Sequence, residues 1–195
     1  MIKIYNNDIH NIINDFINDE SFKRCDLIIL DLNNFIYTNN YTEDLNKIKE
    51  ILYMSSYIIK PGGNIVVIGN NIINIKDIDI DEVLKNELLW KKRRTIIHKC
   101  KLIPGKLLSS EYNYIFWYSD NYRPDDPVPT CHKYGDNKKE LSDFWNEDVD
   151  IYKNIIKMFS NENDTVFEPI TNSDDISKYC EELNRNYIGF KNLLV

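Results

Sequence analysis

The sequence lacks long apolar runs and paired cysteines, and each absence excludes a class of protein. No run of about 18 apolar residues is present to cross a membrane as a helix, and the first residues lack the basic-then-apolar order of a secretory signal. The four cysteines do not have the spacing of a disulfide framework. We therefore predict an intracellular protein, in the cytoplasm or the nucleus, with reduced thiols and no membrane anchor.

Metal ligands are also sparse. The nearest grouping is His98 and Cys100 with Cys131 and His132, and neither pair has the short spacing typical of zinc ligands. We predict that these four are ordinary core and surface residues and that the chain has no metal site.

Cations are outnumbered by acids, and the formal net charge is -7. This balance argues against a general nucleic-acid binder, because neutralising phosphates requires clustered cations. Residues 91–106 are an exception, since they include seven cations and no acid. The segment is either a solvated face or a phosphate contact. Its candidate nucleic-acid contacts are Lys91, Lys92, Arg93, Arg94, Lys99 and Lys101.

Short apolar runs alternate with helical periodicity along the chain, which is typical of a doubly wound α/β sheet. We predict that a helix starts at Thr42 and is stopped by residues 60–63, before a strand at residues 64–69. A polar stretch at residues 121–145 predicts an irregular loop. The other predicted strands are residues 2–5, 26–30, 93–99, 113–119, 165–169 and 187–190, and the other helices are residues 9–17, 150–159 and 176–183.

Glycine is scarce, with six in 195 residues, and its absence is most informative at residues 163–191. This segment has the order strand, tight turn, amphipathic helix and strand, which is typical of a nucleotide-binding unit. Such a unit needs glycine where the backbone approaches its ligand closely, yet the turn contains Asn172, Ser173, Asp174 and Asp175. The segment predicts a cofactor-binding scaffold without its cofactor loop.

Five segments resemble, in sequence order, segments of the β-class amino-group DNA methyltransferases, which act on N6 of adenine or N4 of cytosine. They are MIKIYNND, CDLIILD, IIKPGGNIVVIG, SSEYNYIFWYSD, and IIKMFSNENDTVFEP followed by ELNRNYIGF. The resemblance covers nearly the whole chain and implies one domain over residues 1–195. Its fold would be a Rossmann-like sheet of the S-adenosylmethionine-dependent methyltransferase type in permuted order, with the catalytic half first. Membership would imply S-adenosylmethionine, a flipped base and methyl transfer to its exocyclic nitrogen.

The catalytic turn departs from the family's pattern. Family members carry Asp-Pro-Pro-Tyr or a near variant after the second strand; the acid and a proline carbonyl accept hydrogen bonds from the target amine, and the ring stacks on the base. Here the turn reads Asp31-Leu32-Asn33-Asn34-Phe35, without the prolines that fix its geometry. The resemblance makes Asp31, Asn34 and Phe35 the candidate catalytic residues of a degenerate motif.

The cofactor positions depart as well. Residues 168–175 replace the family's Asp-Pro-Phe-x-Gly-Ser-Gly-Thr, so that Asn172 and Asp174 stand where glycines are expected. Lys191 replaces the acid that holds the ribose hydroxyls, and a Lys side chain cannot accept a hydrogen bond. The candidate cofactor positions are Asp8, Glu168, Asn172 and Asp174. We expect no cofactor to bind there, or S-adenosylmethionine if the chain is active.

Three interpretations remain open from the sequence: a degenerate methyltransferase that binds a partner or nucleic acid, a divergent but active methyltransferase, and an unrelated Rossmann-like protein. The chain has little room for a target-recognition insert between Phe35 and Pro61. We therefore expect a homodimer or heterodimer with a methyltransferase-fold subunit, with DNA or RNA as a further ligand.

Aromatic residues predict where such a dimer would form. Tyr53 and Tyr57 lie on the predicted helix at residues 42–59, and Tyr112 and Trp117 lie on the predicted strand pair. These residue types anchor interfaces, so we expect them to share one exposed face. The alternative is that they belong to the core.

Overall fold

The computed structural model describes residues 1–5, 9–19, 24–35, 40–69, 91–99, 112–119, 144–171 and 173–191. In chain order their elements are β1 (Ile2–Tyr5), α1 (Ile9–Asn18), β2 (Cys25–Asp31), a 3-10 turn (Leu32–Asn34), α2 (Tyr41–Ile58), β3 (Ile59–Gly69), β4 (Lys91–Lys99), β5 (Tyr112–Ser119), β6 (Phe144–Trp145), α3 (Ile151–Phe159), β7 (Thr165–Glu168), α4 (Asp175–Glu182) and β8 (Asn186–Phe190). This is the alternating α/β order that the sequence predicts.

The strands form one eight-stranded sheet in the order β1-β8-β7-β2-β3-β5-β4-β6. The five strands from β1 to β3 in this order run parallel, whereas β5 is antiparallel to both β3 and β4. The late strand β7 pairs with the early strand β2. From β2 the chain continues to β3 on one side of this pair, and from β7 it continues to β8 on the other side. The direction of the connections therefore reverses between β2 and β7. Doubly wound sheets bind their ligands in the crevice beside such a point, at the carboxyl ends of the strands.

The core lies in two layers, one on each face of the sheet. All seven residues of β2 are buried, because its side chains alternate between the two layers. Ile28 and Leu30 pack in the layer that contains α2, and Leu27 and Ile29 pack in the layer that contains α3 and α4. No helix in the described ranges is long and apolar enough to span a membrane.

Most predicted boundaries differ from the structure by one or two residues, and three of the differences have an identifiable structural cause. The Asn40 side chain caps α2 by accepting a hydrogen bond from the Glu43 N–H at 3.3 Å, so the helix starts before Thr42. Residues 60–63 belong to β3 instead of preceding it. Ile59 pairs with Cys25 and Asn64 pairs with Leu27, so the residues between them bulge from the ladder, and Gly62 supplies the positive φ of 78°.

The third difference lies in the predicted loop at residues 121–145. Its end forms the short strand β6, which pairs in parallel with β4. The remainder of that loop lies outside the described residues.

Candidate active site

Two acids terminate neighbouring parallel strands at the crevice. Asp31 is the last residue of β2 and Glu168 is the last residue of β7, and these strands pair directly. Their side chains are 0% and 1% exposed, so both carboxyl groups are removed from bulk water. Burial raises the pKa of each group, because the charged form loses its hydration.

Both oxygens of the Asp31 carboxyl group accept hydrogen bonds from other residues of the chain. One oxygen, Oδ1, accepts a hydrogen bond from the Asn33 backbone N–H at 2.9 Å, which caps the 3-10 turn. The other oxygen, Oδ2, accepts a hydrogen bond from the Tyr152 hydroxyl. Tyr152 lies in the first turn of α3, whose start is fixed by the Asp150 side chain accepting from the Lys153 N–H at 3.0 Å. Both carboxyl oxygens of Asp31 therefore have intramolecular partners.

Phe35 does not lie on a surface of the crevice. Its side chain is 5% exposed and packs in the same core layer as Leu32 and Ile48. The backbone of Asn34 completes the 3-10 turn, while its side chain lies outside the part of the chain that can be described. Of the predicted catalytic residues, the structure places Asp31 at the crevice and buries the Phe35 ring in the core.

The Glu168 carboxyl group belongs to a network that the sequence analysis missed. Its Oε2 accepts a hydrogen bond from the Tyr187 hydroxyl at 2.5 Å, and that hydroxyl lies 3.0 Å from Oγ1 of Thr171. Burial raises the pKa of Glu168 to about 8, although the hydrogen bond from Tyr187 acts in the opposite direction. The second oxygen, Oε1, is buried and has no hydrogen-bond partner among the described residues.

Gly189 allows this network to form. A Cβ atom at this position would lie 2.1 Å from the Tyr187 hydroxyl and 2.8 Å from Thr171 Oγ1. Residues two apart in a strand share a face, so the Tyr187 side chain lies over Gly189. The Tyr-x-Gly pattern in β8 was the available sequence signal for this close approach. Tyr152 had no comparable signal, since it is 121 residues from Asp31.

Two of the cofactor-site departures contact each other. Lys191 Nζ lies 2.9 Å from Asp174 Oδ1 in a partly exposed ion pair. Lys191 directly follows β8, and Asp174 directly precedes α4. The hydrogen bond from Lys191 and its positive charge lower the pKa of Asp174. Asp8 and Asn172, the other cofactor positions named from the sequence, lie outside the described residues.

The predicted nucleic-acid segment begins as a strand. The backbone of residues 91–99 forms β4, which is paired on both sides. Lys99 is half-buried, and Lys101 lies outside the described residues, as do the side chains of Lys91, Lys92, Arg93 and Arg94. His98 is buried in β4, and the described residues contain no cluster of three or more His, Cys, Asp or Glu suited to a metal.

The aromatic residues predicted to form one surface lie on two faces of the sheet. Trp117 packs against Phe159 of α3, with ring centroids 5.1 Å apart, and its Nε1–H donates to Asn64 Oδ1 at 2.8 Å. Tyr53 and Tyr57 lie on α2, which packs on the opposite face. The expectation of one shared face was wrong, because alternate residues of β5 point to opposite layers.

Comparison with known proteins agrees with this architecture. The family model for N6 and N4 methyltransferases, described as DNA methylase, matches residues 3–192. M1.HpyAVI is similar in structure with a TM-score of 0.71 at 22% identity, covering 98% of this chain and 92% of that chain. TTHA0409 of Thermus thermophilus, complexed with S-adenosyl-L-methionine, gives 0.70 at 15% identity, with 100% and 88% covered. The cytosine-N4-specific PvuII DNA methyltransferase gives 0.70 at 13% identity, with 97% and 81% covered. No curated protein sequence matches the chain significantly.

Proposed function

Because the chain belongs to the DNA methylase family, we propose that it is a methyltransferase-fold subunit without catalytic activity of its own. Its function would be to bind a partner methyltransferase, nucleic acid or both. The fold supports a methyltransferase-like subunit, and the burial and hydrogen bonding of the residues at the crevice argue against catalysis.

The engagement of Asp31 is the observation that carries the proposal. An acid that accepts a hydrogen bond from a target amine needs a carboxyl oxygen that faces the substrate. In this chain Oδ1 binds the Asn33 N–H and Oδ2 binds the Tyr152 hydroxyl, and the side chain is fully buried. A target amine would have to displace Tyr152 and would then find no exposed ring at Phe35 to stack on.

The described cofactor positions do not fit S-adenosylmethionine. Lys191 offers only donors where an acid would accept from the ribose hydroxyls, and its ammonium group is already paired with Asp174. Asp175 also adds negative charge at the start of α4, where the carboxylate of a methionine group would be repelled. Family membership alone therefore does not establish cofactor binding.

Association with another subunit follows from these features. An acidic chain with little room for a target-recognition insert between Phe35 and Pro61 would contribute to methylation by supplying a surface to a partner that performs the transfer. In such a complex, residues 91–101 would be the source of phosphate contacts.

A divergent but active methyltransferase is the second candidate. It is favoured by similarity to solved complexes with the cofactor, since the M1.HpyAVI–SAM complex covers 98% of this chain with a TM-score of 0.71. The retention of Asp31 at the carboxyl end of β2 also supports it.

A methyl-transfer assay separates the two candidates. The purified chain is incubated with labelled S-adenosylmethionine and adenine- or cytosine-containing DNA, with Asp31→Asn as the matched control. We expect no incorporation by the wild-type chain above that of Asp31→Asn. Incorporation that depends on Asp31 would establish the active enzyme and overturn the proposal.

A further inference from the structure

The last three strands in the order of the sheet, β5, β4 and β6, are buried on one face and partly exposed on the other. On the buried face, Ile96, Ile115 and Trp145 pack in the layer that contains α3. The residues that alternate with them in each strand lie on the opposite face. Five side chains there are half-buried or exposed, and we call them the outer face: Ile97, Lys99, Tyr112, Tyr114 and Phe144.

The outer face is rich in aromatic residues, and most of them are not part of the core. Phe144 is 46% exposed, and its ring contacts that of Tyr112 with the two centroids 6.4 Å apart. Among the described residues, Ile97, Tyr112 and Phe144 belong to neither core layer. Further along β5 on the same face, Phe116 and Tyr118 are buried in the layer that contains α2. The rings of Tyr112 and Phe144 therefore lie beyond the part of the sheet that α2 covers.

The outer face adjoins the crevice. The last residue of β3 pairs with Tyr114, and Lys99 at the end of β4 pairs with Tyr112 at the start of β5. These residues therefore lie at the edge of the sheet where the parallel strands end. Beside Tyr112, the Oδ1 atom of Asn113 accepts a hydrogen bond from Nδ2 of Asn33 at 3.2 Å. Asn33 belongs to the 3-10 turn that follows β2, so the outer face begins next to the turn that corresponds to the family's catalytic turn.

The charge of this region is positive. Strand β4 has cations at five of its nine positions and no acid, and β5 and β6 have no charged residue. Lys99 lies on the outer face, and none of the ion pairs between described residues includes it. The acids that follow β6 belong to the connection to α3, which packs on the opposite face. A polyanion is therefore the complementary ligand for β4 and the outer face.

We propose that the outer face binds single-stranded nucleic acid, with the rings of Tyr112 and Phe144 stacking on bases and Lys99 contacting a phosphate. Proteins that bind single strands combine cations along the backbone with aromatic rings on which the bases stack. In a duplex the faces of the bases are stacked on one another, so rings on a sheet surface cannot reach them. This inference rests on nucleic-acid binding in the proposed function, and it adds the form of the nucleic acid and the residues that contact its bases.

Fluorescence anisotropy with a labelled oligothymidine of roughly 15 nucleotides tests the proposal, and its duplex with oligodeoxyadenosine is the comparison. We expect the wild type to bind the single strand more tightly than the duplex. Phe144→Ala should weaken single-strand binding by about fivefold or more without changing its salt dependence, because it removes a stacking ring and no charge. Phe144→Tyr keeps a ring and should bind like the wild type.

Two further variants separate charge from surface exposure. Lys99→Gln should reduce the slope of log affinity against log salt by about 0.7, the value for one phosphate contact on a single strand. Ile17→Ala is the matched control, since Ile17 is 47% exposed on α1, which packs beside β1 at the other edge of the sheet. We expect its single-strand affinity to equal that of the wild type.

Three results would overturn the proposal. Equal single-strand affinity of Phe144→Ala and the wild type, or duplex binding as tight as single-strand binding, would remove the stacking surface but leave nucleic-acid binding in the proposed function. Binding of neither oligonucleotide by the wild type would also overturn it, and the proposed function would then depend on the partner methyltransferase alone.

Proton NMR of the wild type gives an answer even if Phe144→Ala does not fold. Adding the single strand should shift the ring resonances of Phe144 and Tyr112 upfield, because stacked bases shield them. Ring resonances that stay unchanged when the single strand is bound would contradict stacking at the outer face.

Discussion

Lys191 Nζ lies 2.9 Å from Asp174 Oδ1, which joins the end of β8 to the start of α4. Each residue departs separately from the family's pattern, and together they form an ion pair. The two departures are therefore physically compatible, since the cation offsets the carboxylate that replaces a glycine. The pair lies at the carboxyl ends of the parallel strands, where a doubly wound sheet binds its ligand.

Removing this cation should change the titration of Asp174. We expect Lys191→Met to raise the pKa of Asp174, because the carboxylate loses its main hydrogen bond and its nearest positive charge. Carbon-13 NMR of the Asp174 carboxyl group measures the shift, and Lys157→Met on α3 should leave it unchanged. An identical Asp174 titration in the wild type and Lys191→Met would mean that the pair is absent in solution.

The Tyr152 hydroxyl should stabilise the fold through Asp31. Tyr152→Phe leaves Oδ2 of a buried acid without its donor, which typically costs about 1–3 kcal/mol of unfolding free energy. Urea denaturation measures the loss. Tyr179→Phe is the matched control, since the hydroxyl that it removes donates a hydrogen bond to the exposed carboxylate of Asp150. Equal stability of Tyr152→Phe and the wild type would show that the Asp31 carboxyl group is not held as described.

Glu168 should make the protein less stable as pH rises. Its folded pKa of about 8 exceeds the unfolded value of about 4.3, so the folded state binds the additional proton. The contribution is complete below about pH 4 and is lost as pH rises to about 8. Denaturation at several pH values should therefore show a smaller decline in Glu168→Gln than in the wild type. A decline of the same size in both would assign the pH dependence to other groups.

The basic segment has its own test. If Lys92, Arg93 and Arg94 bind phosphates, replacing all three with glutamate should weaken nucleic-acid binding. It should also reduce the slope of log affinity against log salt by about one unit for each phosphate that the variant no longer neutralises. Filter binding over a range of salt concentrations measures both effects. An unchanged affinity would leave the segment as a solvated surface.

Local patterns predicted most of the elements. The apolar run of β2, the helix near residues 150–159, and the strand–turn–helix order from Thr165 to Phe190 depend on nearby residues, and all three are confirmed. The start of β3 was predicted wrongly, because a Pro-Gly-Gly run is typical of a turn yet here forms a bulge within the strand.

The site was less predictable because its contacts connect distant parts of the chain. The sequence identified Asp31, Glu168, Asp174 and Lys191 one at a time through their positions in motifs. It did not identify Tyr152 and Tyr187, whose roles arise only when α3 and β8 are brought beside the ends of β2 and β7. Trp117 and the tyrosines of α2 lie on opposite faces of the sheet, and this placement depends on which helices pack on each face.

The most direct test of an inactive methyltransferase fold is calorimetric titration of the purified chain with S-adenosylmethionine. A cofactor-binding relative such as M1.HpyAVI, whose complex with SAM is known, is the positive control under the same conditions. We expect heats equal to those of dilution, because Asp174 and Lys191 pair with each other and the Glu168 carboxyl group accepts a hydrogen bond from Tyr187. Saturable binding of one cofactor per chain with a micromolar dissociation constant would contradict it.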